Sequence, residues 1–357
     1  MSMVATEILA RGVEQGIITA EQAQRLRALE NVGELPASPD DEQLRFISGF
    51  SDVFVTIGLA MFIGAIGYFA LLFGGTAVRW TAIVVTAWLL AEFFTRQRRM
   101  ALPSIVLLIV FAFAVFMGAS HLLGGGALYY YPADVVRNIF DLDPERPTVL
   151  AIAALVTVPL TALHYWRFRV PITVAAGCCV LTGAIIGLTY GLAPQLPHSA
   201  YNVVTLVCGL AIFGLAMRFD MTDPERLTRR TDIAFWLHLL AAPLIVHSLI
   251  GGVFDVGSKL EPEPAIAVVA VFLALSLVAV LIDRRALLVS GLAYAGAAFW
   301  TLIRQVGLSD ITTPLTILTL GAFVLLLSAG WKPLRAGILK LTPPTLARRL
   351  PQPTLSV

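Results

Sequence analysis

Residues with chemistry to offer are few in this chain, and the richest stretch is RRTDIAFWLHLLAAPLIVHSLI, residues 229–250. At about 100° per residue, Asp232, Trp236, Pro243 and His247 fall within a helical stripe about 60° wide, with His238 about 120° from Asp232. Pro243 cannot donate to a helix ladder and its ring crowds the carbonyl of Leu239, so it kinks the helix and frees an acceptor midway along it. A freed carbonyl on a polar stripe suits the wall of a substrate path. The same four residues also fit a plainer role, a kinked helix with Trp236 and His247 at opposite membrane interfaces.

A second set is made of imidazoles and carboxylates. His121 and His247 end two apolar runs, and His198, Asp134 and Asp255 lie in connections on the same side, so five groups could gather as an outer polar cluster. Such a cluster would bind a divalent metal or relay protons. No H-E-x-x-H phrase is present, and the sequence implies no metal and no cofactor; hydrogen bonds to water or backbone are the simpler role. Glu92 precedes Arg96 by four residues, which suits an i,i+4 ion pair near the headgroups and, alternatively, a carboxylate that couples transport to an ion. Asp-Pro-Glu-Arg occurs at 143–146 and 223–226 and reads as a helix start, Asp as cap and Pro in the first turn. Asp141, Asp143 and Glu145 lack the glycine and spacing of a calcium loop. His164 lies in HYWRFR, an interfacial anchor.

The elements that must position these residues are membrane helices. Of 357 residues 58% are hydrophobic and 13% charged, with mean hydropathy +0.83, whereas soluble domains run about 45–50% apolar and about 25% charged. A soluble protein is excluded. Ten runs near spanning length follow one another, about 52–74, 77–95, 101–123, 148–166, 170–190, 200–217, 232–250, 265–282, 287–303 and 313–331. The expected fold is all-α, a polytopic bundle of about ten transmembrane helices. Placing the N-terminus inside puts 20 of the 25 Lys and Arg residues in inner segments, so both termini are expected in the cytoplasm. A net charge of +2 gives no reason to expect nucleic acid as a partner; the lipid bilayer is the partner the composition names. Cys178, Cys179 and Cys208 fall within apolar runs and read as small core residues.

Residues 1–35 are expected to form a cytoplasmic helical hairpin broken at Gly16, with Thr19 and Gln22 as a capping box. A polar linker spans 36–50, the membrane domain 51–331 and a basic tail 332–357. The first apolar run begins too late for a secretory signal, so no cleaved leader is expected. Basic turns TRQRR, RFR, LTRR and DRR join the spans into hairpins, and Gly118–Gly125 resembles Val246–Gly252, a hint of internal duplication. Gly183, Gly187 and Gly191 in one run, and Gly291, Ala295 and Ala298 in another, are faces for close helix packing. The connection GGGALYYYPADVVRNIFDLDPERP carries a short interfacial helix from Pro132, or a lid over an outer vestibule.

The opening ending in EQAQRLRAL, the polar linker and phrases such as FISGFSDVFVTIGLAMFIGAIGYFA and RRTDIAFWLHLLAAPLIVH resemble a family of bacterial integral membrane proteins of unassigned function. That resemblance implies the inner membrane and assigns no residue a role. Among functions, ten helices, the kinked polar helix and the hint of duplication favour a transporter for a neutral or amphipathic small molecule. A scaffold or sensor recruiting a protein partner through the N-terminal hairpin is the alternative, and a metal-dependent membrane enzyme using the outer histidines is the third. The topology is tested by reporter fusions that are active only outside the cytoplasm: fusion after residue 128 should be active and fusion after residue 226 silent, and the reverse pattern would invert the orientation.

Overall fold

The computed structural model describes residues 50–124, 147–223, 228–250, 262–307 and 311–342, with residues 13, 15, 16 and 19–24 near the start. The chain divides into two units, Met1–Gln43 with Pro353–Val357, and Leu44–Gln352. In the first, the Thr19 N–H donates to Gln22 Oε1 at 2.8 Å and the Gln22 N–H to Thr19 Oγ1 at 3.1 Å, the reciprocal cap that the sequence spells. The rest of the expected hairpin, the linker and the connection 125–146 lie outside the described residues.

Every described element of the larger unit is helical: α1 Phe50–Ala91, α2 Ala101–Leu123, α3 Pro147–Phe168, α4 Ile172–Leu192, α5 His198–Met221, α6 Arg229–Ile250, α7 Pro262–Ile282, α8 Ala286–Gln305, α9 Thr312–Ala329 and α10 Trp331–Leu341. Eight helices are long and apolar enough to cross a membrane. Hydrocarbon supplies no partner for a peptide group, so helices that satisfy their own backbone are the structure such a sequence must adopt. Large apolar side chains remain on the outside, among them Phe54, Phe73, Leu89, Leu210, Leu273, Leu325 and Leu326. A water-facing surface does not carry that much contiguous apolar area; lipid covers it.

The runs 52–74 and 77–95 join into one helix that folds back on itself. At Gly75 φ is +76° and ψ −173°, a left-handed conformation that glycine adopts without a Cβ clash. A Cβ on Gly67 would stand 2.9 Å from Ile83 Cδ1, and Leu59 and Ile63 share a core with Ala87 and Ala91. In a straight helix residues 67 and 83 would be about 24 Å apart, so the two arms lie antiparallel. Counted with both arms of α1, the eight spanning-length helices make nine segments, and α8, Ala286–Gln305, is a further helix of 20 residues that is not among them. After Ala91 the chain widens into a π-helical turn, Glu92–Gln97.

The second arm of α1 with α2, α3 with α4, α5 with α6 and α7 with α8 pack as the hairpins that the basic turns indicate. Three of those turns place a non-glycine residue in the left-handed region, Arg99, Arg169 and Asp283. Close packing falls where small residues recur, though unevenly. A Cβ on Gly187 would meet the Pro147 carbonyl oxygen at 3.0 Å and Ala151 Cβ at 3.1 Å, and one on Gly191 would meet Thr148, whereas Gly183 faces open space. In α8, Ala295 and Ala298 are fully buried and Gly291 lies against Phe272. The stretch from 332, expected as a tail, begins as the helix α10, whose Trp331 and Arg335 are buried.

Gly187→Leu should force α3 and α4 apart and cost about 1–3 kcal/mol, as overpacking does. Gly183→Leu should be nearly neutral. Thermal unfolding of the two purified variants checks this, and equal midpoints would refute the packing face.

Candidate functional site

Two faces of α6 differ in kind. One buries Ile233, Ala234, Leu237, His238, Ala241, Ala242 and Ile245 against its neighbours. The other, Asp232, Trp236, Leu239, Leu240, Pro243 and His247, is half-buried from end to end. The stripe that the sequence picks out is thus a continuous partly covered face of one helix. Phe235 and Trp236 pack edge to face, and His247 Nδ1 lies 2.8 Å from the Tyr294 hydroxyl, tying the far end of α6 to α8.

On the buried face stands an ionic triad. His238 is 0% exposed, Asp220 3% and Arg284 2%. His238 Nε2 is 2.9 Å from Asp220 Oδ2, the Arg284 Nε–H donates to the same oxygen at 3.1 Å, and Arg284 Nη2 donates to Asp220 Oδ1. One carboxylate therefore holds α5, α6 and the turn between α7 and α8. The geometry follows from the hairpin: α5 stops at Met221, α6 starts at Arg229, and their antiparallel packing sets the last turn of α5 beside His238, about 13 Å along α6. Phe213 closes the site with its ring edge-on to the imidazole, 5.3 Å between centroids. Bidentate pairing of guanidinium and carboxylate is the arrangement in which burying two charges is best compensated.

Around the triad the same end of these helices is fastened twice more. Asp283 Oδ1 accepts the Trp331 indole N–H at 2.7 Å and Oδ2 lies 3.7 Å from Arg335 Nη1, while the Arg285 guanidinium sits 5.1 Å over the Trp331 ring. These contacts seat α10 against the α7–α8 turn. Asp223 Oδ2 accepts from the Thr228 N–H at 2.9 Å and from the hydroxyls of Thr228 and Thr231. The second Asp-Pro-Glu-Arg phrase thus begins with a structural carboxylate, which serves the start of α6; its residues 224–226 and the whole first copy lie outside the described residues.

Glu92 makes the expected pair with Arg96 at 3.4 Å and a shorter one with Arg167 at 2.7 Å, so it also bridges to α3. His164 departs from the anchor reading. It turns inward, 1% exposed, with its ring among Trp88, Phe111 and Phe168, while Trp166 remains exposed. Tyr165 and Phe168 also pack inward, so on HYWRFR the exposed residues are Trp166 and Arg169.

Most of the expected outer polar cluster lies outside the described residues. His121 sits in the last turn of α2 and His198 opens α5, the His198 side chain, Asp134 and Asp255 lie outside the described residues, and His247 is engaged with Tyr294. Among the described residues no three His, Cys, Asp or Glu side chains group to hold a metal. The three cysteines are free thiols.

Comparison with known proteins gives no match: no family model, curated protein or solved structure is similar to this chain. What fold and site define is a multi-pass α-helical membrane protein with a buried Asp–His–Arg centre. Asp220→Asn removes the buried carboxylate that Arg284 and His238 both bind, and loss of one partner of such a pair costs about 3–5 kcal/mol. Its thermal midpoint should fall well below that of Glu92→Gln, whose partners are partly solvated. Equal midpoints would show that Asp220 does not hold the helices.

Proposed function

We propose that this chain is a carrier for a neutral or amphipathic small molecule in a bacterial inner membrane, with both termini in the cytoplasm and the substrate path along α6. The observation that carries the reading is that one Pro-containing helix bears a buried ionic triad on one face and a half-buried polar stripe along another. Ionisable groups within a spanning bundle are costly, face its interior and mark substrate or ion routes. Pro243, midway along the half-buried face, withdraws a backbone donor and so leaves a carbonyl one turn earlier to serve as an acceptor. The stripe offers Asp232 near one end, an indole and an imidazole, and otherwise leucines. That lining suits a substrate with a few hydrogen-bonding groups on an apolar body better than an ion.

The basic turns support the orientation. Alternating spans bring Arg96, Arg98 and Arg99, then Arg167 and Arg169, then Arg218, Arg229 and Arg230, then Arg284 and Arg285 to one side, which is the cytoplasmic side by charge bias. The triad and the α10 fastening then stand at the inner end of the path, and His247 with Tyr294 at the outer end.

Thermal unfolding of the purified protein against a panel of neutral and amphipathic metabolites tests the reading. A substrate at a hundredfold excess over its Kd should stabilise by about 2.7 kcal/mol, and Trp236→Ala should abolish the shift. A flat response from a chain that unfolds cooperatively would remove the carrier reading.

A further inference from the structure

We propose that α10, Trp331–Leu341, is an interfacial helix that binds anionic phospholipid headgroups at the end of the bundle where the α7–α8 turn lies. Such binding is independent of what α6 carries and of which side of the membrane that end faces. α10 starts where the spanning helix α9 stops, with Gly330 between them. An 11-residue helix is about 16 Å long, yet its first and third turns meet the same core: Trp331, Ile338 and Leu339 all pack with Ala279, Val280 and Ile282, the last turn of α7. α10 therefore lies against the end of the bundle, at the level where the apolar spans of α7 and α9 finish.

At about 100° per residue, α10 sorts into three sides. Trp331, Arg335, Ile338 and Leu339 face the bundle, the first two buried. Lys332, Ala336 and Lys340 share a second side, and all three are exposed. Leu334 and Leu341, 45% and 88% exposed, share the third, about 150° around the helix from the lysines. Arg285 is exposed as well and sits 5.1 Å over the Trp331 ring, which adds a guanidinium at the start of α10. From 331 to 357 the sequence holds five Lys and Arg residues and no Asp or Glu.

Leucines on one flank call for hydrocarbon and lysines on the other for anions and water, and a bilayer surface offers both within the width of one helix. A neutral surface would cover the leucines and leave the cations without counterions. An anionic one matches both flanks, because lysine stems lie along apolar surface while the ammonium groups stay at the level of the phosphates. The bundle side of α10 is already fixed: Trp331 and Arg335 seat it on Asp283, the residue before Arg284. Headgroups that hold α10 therefore bear on the turn that supplies Arg284 to the Asp220 centre.

The test uses the full chain in nanodiscs of equal parts phosphatidylcholine and phosphatidylglycerol. Native mass spectrometry reads which lipids stay on the protein when it is released from the disc. Phosphatidylglycerol should be retained in preference to phosphatidylcholine, and the preference should fall severalfold in Lys332→Gln with Lys340→Gln, since each lysine near an anionic surface contributes about a factor of five. Lys332→Arg with Lys340→Arg should keep it, and added salt should weaken it. In parallel, nitroxide labels at Leu341→Cys and Ala336→Cys, each with Cys178, Cys179 and Cys208 replaced by Ala, are relaxed by oxygen, which concentrates in hydrocarbon, or by a water-soluble nickel chelate. The label at 341 should respond to oxygen and the label at 336 to the chelate. A preference that survives the glutamine pair, or is lost equally in the arginine pair, overturns the anionic site. A label at 341 that responds to the chelate places α10 in water, and one that responds to neither places protein over that flank; both overturn the interfacial seat. If the glutamine pair does not fold, the two labels decide with the lysines in place.

Discussion

Hydrocarbon offers a buried charge no water to lean on, and the carboxylate of Asp220 is where this chain meets that constraint most sharply. A carboxylate at 3% exposure within a helical bundle persists only if cations and donors of the protein surround it. Arg284 and His238 do so from two other elements, and the requirement fixes where α5 ends, how far α6 overruns it and where the α7–α8 turn must lie. The arrangement at that end follows in sequence. Asp283, one residue before Arg284, takes the left-handed conformation at the turn and turns its own carboxylate to Trp331 and Arg335. In this way α10 is joined to the same centre through adjacent residues of one turn.

Away from that end the helices are held by shape. Lipid tails are as apolar as leucine side chains, so helices associate where small residues let backbones approach. Gly187 and Gly191 admit the start of α3, Gly67 admits Ile83, and Ala295 and Ala298 admit the neighbours of α8. His247 with Tyr294 is a polar contact toward the other end of α6. That helix is therefore tied by buried charge near one end and by the His247–Tyr294 hydrogen bond toward the other, and carries a proline between them.

The spans were legible in the sequence because their cause is local. An apolar run of about 20 residues bounded by arginines is visible letter by letter, and the expected boundaries match the helices to within a few residues, from Ala101–Leu123 to Thr312–Ala329. The Thr19–Gln22 cap and the Glu92–Arg96 pair were legible for the same reason, both lying within one turn. The triad was not. Asp220 and Arg284 stand in basic, polar turns where sequence alone assigns them to the surface, and only the packing of two hairpins turns them inward. His238 was visible as the residue off the polar stripe, and its distance from that stripe is the one signal that could have separated it from Trp236 and His247. Glu92's bond to Arg167 and the burial of His164 are likewise long-range facts, set by how α1, α2 and α3 meet.

Two faces of α6 doing different work, one dry and ionic, one wet and lining a path, is the central claim, and a cysteine scan of the whole helix from Asp232 to Leu249 tests it most directly. Each position, in a chain freed of its own cysteines, is exposed to an impermeant thiol reagent in membranes. A wet stripe predicts that labelling peaks at 232, 236, 240, 243 and 247 and vanishes at 234, 237, 241 and 245, with the helical period of about 3.6 residues. Labelling confined to the two ends of the helix, with no periodicity between them, would mean that the polar face is dry, and the claim would fail.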